Sequence, residues 1–138
     1  MLDPARSGLP AFLAKDSGLE SGLMIVQYVA GASLGELHGH AGPRSIFSTS
    51  TSAGQEDHVS MGATACWNLL QATNRLAEVL ACEFIVACEA LEFNEVQPSK
   101  VVCAMKQRIR TVVKPLDGDR STSADIIAVA NELLTGTW

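Results

Sequence analysis

Apolar residues recur through most of this chain at helical spacing, and nowhere do they alternate with polar ones in the two-residue period of a strand. Between residues 56 and 93 there is no proline and one glycine, Gly62. Ala65, Leu69, Ala72, Leu76, Leu80, Phe84, Ala87 and Leu91 follow one another at steps of three or four, which draws a seam along one side of a helix. Val79, Ile85 and Val86 add a second apolar stripe. One helix over all of that segment would run to roughly 55 Å. A compact chain of this length has a radius of gyration of only about 14 Å. Such a helix cannot bury itself, so Leu69, Leu76, Leu80 and Phe84 are expected to be poorly covered by the rest of the chain.

Residues 20–38 predict a second helix, apolar nearly all round, and a helix without a polar face is a buried one. Its Gly31-Ala-Ser-Leu-Gly35 unit would let two helix backbones approach closely. A third helix over 99–113 sets Val102, Met105, Ile109 and Val112 on one face and stops before Pro115. A fourth over 124–134 follows the capping candidates Ser121, Thr122 and Ser123 and ends at Gly136. Residues 1–22 are punctuated by Pro and Gly, and residues 39–55 form a loop with a Ser/Thr run. The pattern predicts an all-α chain, a bundle built round one long helix, with residues 1–138 forming a single helical segment.

Composition changes this picture little. The hydrophobic fraction of 47% is that of a globular protein, and the aromatic fraction of 5% predicts an aliphatic core. A net charge of −5 makes nucleic acid and anionic membranes poor partners. The bases gather late, with Lys100, Lys106, Arg108, Arg110 and Lys114 on the third helix, where they read as a solvated face. Cys66, Cys82, Cys88 and Cys103 form no CxxC pair and read as buried thiols in a reducing compartment, here the cytoplasm. His38 and His40 could bind a metal only with help from Glu56 or His58; the spacing is weak, and no metal is expected. No stretch is long and apolar enough to span a bilayer.

The stretch Thr51-Ser-Ala-Gly-Gln-Glu-Asp-His58 is the anomaly. Ser52-x-x-Gln55 matches a capping box, which would put Glu56 and Asp57 in the first helical turn, where the dipole favours carboxylates. That accounts for the acids but not for His58 beside them. Here the sequence resembles a known family: SAGQEDHVSMG is similar to the SANQEDHVSMG-type motif of histidine ammonia-lyases, within the aromatic amino acid lyases. GLPAFL at 8–13, SGLMIVQYVA at 21–30, Glu36, VLACEFIVACEALEF at 79–93, and the pairs Asp119-Arg120 and Asp125-Ile126 resemble the C-terminal region of that family in the same order.

The resemblance implies the C-terminal portion of a homotetrameric enzyme that converts L-histidine to urocanate and ammonia on a methylidene-imidazolone electrophile. It implies that Glu56 lines the substrate pocket and assists proton transfer, with Gln55 a weaker substrate-binding candidate. Phenylalanine and tyrosine relatives carry glutamine where Glu56 stands, so the carboxylate favours histidine, whose imidazole N–H or ammonium it can pair. This chain departs from the pattern at Gly54, where Asn is usual, and at Phe47, where a small acid is. The electrophile arises from Ala-Ser-Gly, and none occurs here; the nearest strings are Arg6-Ser-Gly, Asp16-Ser-Gly and Glu20-Ser-Gly. Tyr28 lies in a predicted buried helix and matches no family tyrosine. The isolated chain is therefore expected to be inactive. A phenylalanine or tyrosine lyase or aminomutase, or a helical module without chemistry, are the alternatives.

Overall fold

A computed structural model describes residues 1–136. Among them there are five α-helices and no strand: α1 (Pro4–Ser7), α2 (Met24–His40), α3 (Gly62–Ala90), α4 (Lys100–Arg110) and α5 (Ser123–Thr135). The all-α expectation holds.

The long helix is continuous through Thr73 and Asn74, but it starts six residues later than the periodicity predicts. Its 29 residues span about 43 Å. Met61 precedes it with no side-chain cap. The predicted capping box does not form, because Ser52 and Ala53 adopt left-handed conformations that fold the chain into a tight loop instead. Its two halves differ. From Gly62 to Leu76 only Asn68 is buried. From Ala77 onward, Ala77, Ala81, Cys82, Ile85, Val86 and Cys88 face the core. As expected, Leu69 (67% exposed) and Leu76 (47%) lie bare. Leu80 and Phe84 do not: both are half-buried, and Phe84 packs against the core. The face turned inward is the one with small residues, which lets α2 and α5 come close to α3.

Both α2 and α5 pack on α3 rather than on each other. α2 is not the buried helix its composition predicts. Val26 and Ser33 are covered, whereas Ile25, Tyr28 and Leu34 are exposed. Gly31 and Gly35 face open space, so they mediate no close approach. The α2–α3 contact is instead pinned by polar groups. Ser33 donates to Glu78 at 2.9 Å, and Arg75 bridges Glu36 and Glu78 at 2.7 Å each. α5 contributes Ile126, Val129 and Ala130 to the core and leaves Ile127 and Leu134 outside.

α4 is capped by Ser99, which accepts the Val102 N–H at 3.3 Å. Of its predicted apolar face only Ile109 is fully buried; Val102, Met105 and Val112 are more than a third exposed. The helix touches α3 only lightly, so one turn is enough to seat it. Its bases are not simply solvated either. Arg110 pairs with the buried Glu89 at 2.9 Å, and both Arg110 and Lys106 reach Glu92. Glu89 also accepts the Leu116 N–H, which fastens the chain after α4 to the end of α3. Burial opposes ionisation of Glu92, but the bonds and charges of Lys106 and Arg110 outweigh it and hold the carboxyl below its ordinary range.

The irregular N-terminal segment is seated as firmly as the helices. Leu13, Ala14 and Leu23 are almost fully buried, and burying a leucine side chain contributes roughly 1.5–3 kcal/mol. Gly22 sits at φ 55 with its Cα against the Phe12 carbonyl; a Cβ there would lie 2.5 Å from that oxygen. The start of α2 has no local cap. Asp119, from the loop before α5, accepts the Ser21 and Gly22 N–H groups at 2.8–3.0 Å and clasps the chain just ahead of the helix.

Those N–H groups, Ser21 first, hold the Asp119 carboxyl below its ordinary range. A depressed folded value means that the stabilisation is present above the unfolded value, about pH 4, and is lost as pH falls through the folded one. Asp119→Asn is expected to lower the melting temperature at neutral pH. The gap from the parent is expected to close as the pH drops below about 4. A gap independent of pH would show that the charge does not matter.

Trp67, Leu69, Leu70 and Leu76 leave large apolar side chains bare along the first half of α3, and exposed apolar surface drives association. The purified chain is expected to self-associate in light scattering. A sharply monomeric species with a cooperative melt would contradict this.

Candidate functional site

The loop between α2 and α3 carries the polar cluster, and it is a built structure. At its neck, the Ser48 hydroxyl accepts the Val59 N–H at 2.9 Å and donates to the Val59 carbonyl at 3.3 Å. Further in, Thr51 and Glu56 exchange backbone hydrogen bonds as an antiparallel pair, Thr51 N–H to Glu56 O at 2.9 Å and Glu56 N–H to Thr51 O at 3.3 Å. The tip between them turns through Ser52 (φ 51), Ala53 (φ 54) and Gly54 (φ 88). Two consecutive L-residues in the left-handed region cost of order 1–3 kcal/mol each.

Glu56 therefore leaves the tip in a defined direction. Its carboxylate accepts one hydrogen bond, from the Thr51 hydroxyl to Oε2 at 3.1 Å. Among the described residues no cation pairs with it. Gln55 closes the turn with its backbone, donating to the Ser52 carbonyl at 3.1 Å, and its side chain is exposed. Asp57 and His58 are also exposed and lie in the loop, not in the first turn of α3. The acids thus have no helix dipole to serve.

His38 and His40 are not brought to Glu56 or His58 as metal ligands. His40 Nδ1 lies 2.8 Å from Asn68 Oδ1. Asn68 Nδ2 donates to the His40 carbonyl at 2.7 Å, so Oδ1 faces the ring and Nδ1 carries the proton. Arg44 donates to the same Oδ1 at 3.0 Å. The lone buried residue in the first half of α3 thereby anchors both the end of α2 and the beginning of the loop. No group of three His, Cys, Asp or Glu side chains placed to hold a metal occurs among the described residues.

The cysteines divide. Cys82 and Cys88 are buried as expected, and burial pushes the Cys82 thiol up to about 11. Cys66 is exposed and Cys103 half-buried. Tyr28 is exposed rather than buried. No helix among the described residues is long and apolar enough to cross a membrane. An open groove of about 950 Å³ runs between α2, α3 and α5, past Ile25, Val29, Asn74 and Ile126, and the 51–58 loop contributes nothing to it.

Ser48, Thr51 and Asn68 were not singled out by sequence reasoning. The first two stand in a Ser/Thr run that looks like filler, and Asn68 breaks no apolar period.

Gly54 has open space where a Cβ would go, so substitution there meets only the backbone penalty. Gly54→Ala is expected to destabilise the chain by roughly 1–2 kcal/mol. Gly54→Asn should cost less, because Asn enters the left-handed region more readily. Ala53→Gly should be neutral or stabilising. Chemical denaturation of the three variants checks the order.

The model of the aromatic amino acid lyase family matches residues 1–111. A probable histidine ammonia-lyase of Thermoplasma volcanium is 46% identical over 126 residues, which cover 91% of this chain and 26% of that protein. The crystal structure of histidine ammonia-lyase from Trypanosoma cruzi superposes with a TM-score of 0.93 at 34% identity, covering 99% of this chain and 27% of that one. Tyrosine aminomutase from Streptomyces globisporus superposes with a TM-score of 0.93 at 32% identity, covering 99% and 26%. The chain spans about a quarter of the length of the relatives it matches. With most of its length matched by the family model and its helices superposing on those of solved members, the chain belongs to the aromatic amino acid lyase family.

Proposed function

We propose that this chain is the C-terminal portion of a histidine ammonia-lyase, a cytoplasmic homotetramer that eliminates ammonia from L-histidine to give urocanate. The observation that carries the reading is Glu56: a carboxylate held outward on a locked loop, with one hydroxyl as its partner and, among the described residues, no cation beside it. A carboxylate so placed is available to an imidazole N–H or an ammonium arriving from outside. Glu56 is the residue we assign to the pocket, binding the substrate and assisting proton transfer. Gln55 is a weaker contact, since its backbone shapes the turn. Asp57 is given no part in the chemistry.

The family's methylidene-imidazolone would supply the electrophile that captures the substrate. No Ala-Ser-Gly occurs in this sequence, so no step of its formation belongs to these residues, and the 138-residue chain alone should make no urocanate. The bare apolar half of α3 supports assembly with further helices. A second reading, an aromatic aminomutase or a phenylalanine or tyrosine lyase, draws support from the likeness to tyrosine aminomutase. Glu56 disfavours it, because the resemblance implies a glutamine at this position in phenylalanine- and tyrosine-type relatives.

The test joins this chain to the Ala-Ser-Gly-bearing portion of a histidine ammonia-lyase and follows urocanate by ultraviolet absorbance. Glu56→Gln keeps the shape and removes the charge. It is expected to lower turnover by about 30- to 1,000-fold, the equivalent of about 2–4 kcal/mol. Asp57→Asn should change it little. Unchanged turnover in Glu56→Gln would remove Glu56 from the chemistry. Turnover of tyrosine or phenylalanine in preference to histidine would favour the second reading.

A further inference from the structure

The loop that carries Glu56 spends backbone strain yet buries nothing: residues 51–58 are all exposed. Core packing therefore cannot be what holds Ser52 and Ala53 in left-handed conformations. Strain of this kind persists only where neighbouring contacts over-determine the backbone. Two side-chain hydroxyls supply those contacts. Ser48 and Val59 stand opposite each other in the same antiparallel register as Thr51 and Glu56, three residues further from the tip. One serine hydroxyl, as donor and acceptor at once, occupies both backbone groups of Val59. Thr51 holds Glu56 at both backbone groups and also at the carboxylate.

We propose that Ser48 and Thr51 are positioning residues that together aim the Glu56 carboxylate: Ser48 closes the neck of the loop, and the Thr51 hydroxyl sets the rotation of the carboxylate itself. The proposal rests on the reading of Glu56 as a substrate-facing group. Each hydroxyl has a distinct effect. Without Ser48 the Val59 N–H loses its acceptor, the neck opens, and the strained tip relaxes towards other conformations. Without the Thr51 hydroxyl the backbone pair survives, but Oε2 loses its donor and the carboxylate turns freely. Both changes spread the carboxylate over many positions, which weakens a contact that must be correct at the moment of proton transfer more than it weakens ground-state binding.

Two measurements test this. The first is amide exchange in the 138-residue chain. Ser48→Ala is expected to speed exchange at Val59 about fivefold, the loss of one hydrogen bond of roughly average strength. Ser48→Thr is expected to restore protection. The second is kinetics in the assembled enzyme. Thr51→Val keeps the shape and removes the donor, so kcat should fall about 10- to 30-fold, as for a lost bond to a charged group. KM should barely move, and Thr51→Ser should recover most of the loss. Unchanged exchange at Val59 in Ser48→Ala overturns the neck lock. Unchanged kcat in Thr51→Val, where Glu56→Gln is impaired, overturns the role of Thr51. If Glu56→Gln is itself silent, the functional reading fails, and the exchange measurement alone still decides whether Ser48 holds the loop.

Discussion

The C-terminal half of α3 is the surface on which everything else is mounted. Ala77, Ala81, Cys82 and Ile85 give it a flat, small-residue face. α2 lies on it, α5 lies on it, and neither leans appreciably on the other. Widening that face, as with a leucine at position 81, would push both helices away at once, because close-packed interiors absorb added volume poorly. The N-terminal loop and α4 join the same support more lightly, through Leu13 at one end and through the Glu89–Arg110 pair at the other.

The other half of α3 has the opposite character. From Gly62 to Leu76 Asn68 is its one buried residue, and the large apolar side chains stand bare. The Glu56 loop enters at that bare end. The most strained backbone around the site and the least covered helix surface are therefore neighbours along the chain, while the packed core lies several turns away. Such a division suits a protein whose chemistry is completed by other parts of a larger assembly: the scaffold holds itself, and the site end is left for others to cover.

How far the sequence revealed this depended on the kind of signal. Helical periodicity located α2, α3, α4 and α5, since 3.6-residue spacing is a property of the chain alone. It misjudged which faces are covered. Leu69 and Leu76 proved bare, but Leu80 and Phe84 did not, and Gly31 and Gly35 mediate no contact. The large apolar residues of α3 were expected to be left uncovered, and only some are; the inward face is made largely by Ala77, Ala81 and Cys82, because helix approach rewards the absence of bulk. The capping box failed for a different reason. S-x-x-Q is a four-residue pattern, and the left-handed turn at Ser52 and Ala53 overrode it through hydroxyl contacts from residues that a pattern cannot rank. The family resemblance pointed to Glu56, the carboxylate proposed for the pocket, without explaining its placement. That came from Ser48 and Thr51, legible only once residues 48 and 59 were seen facing each other.

The Asp119 clasp bears on the order in which the molecule can form. It joins residues 98 positions apart, and contacts of such separation come late, because a long loop must close before they return anything. The chain just ahead of α2 must therefore stay unclasped through most of folding. During synthesis the clasp cannot close before residue 119 leaves the ribosome, when α2, α3 and α4 have already emerged. The approach to α2 is thus among the last parts of these residues to be fixed.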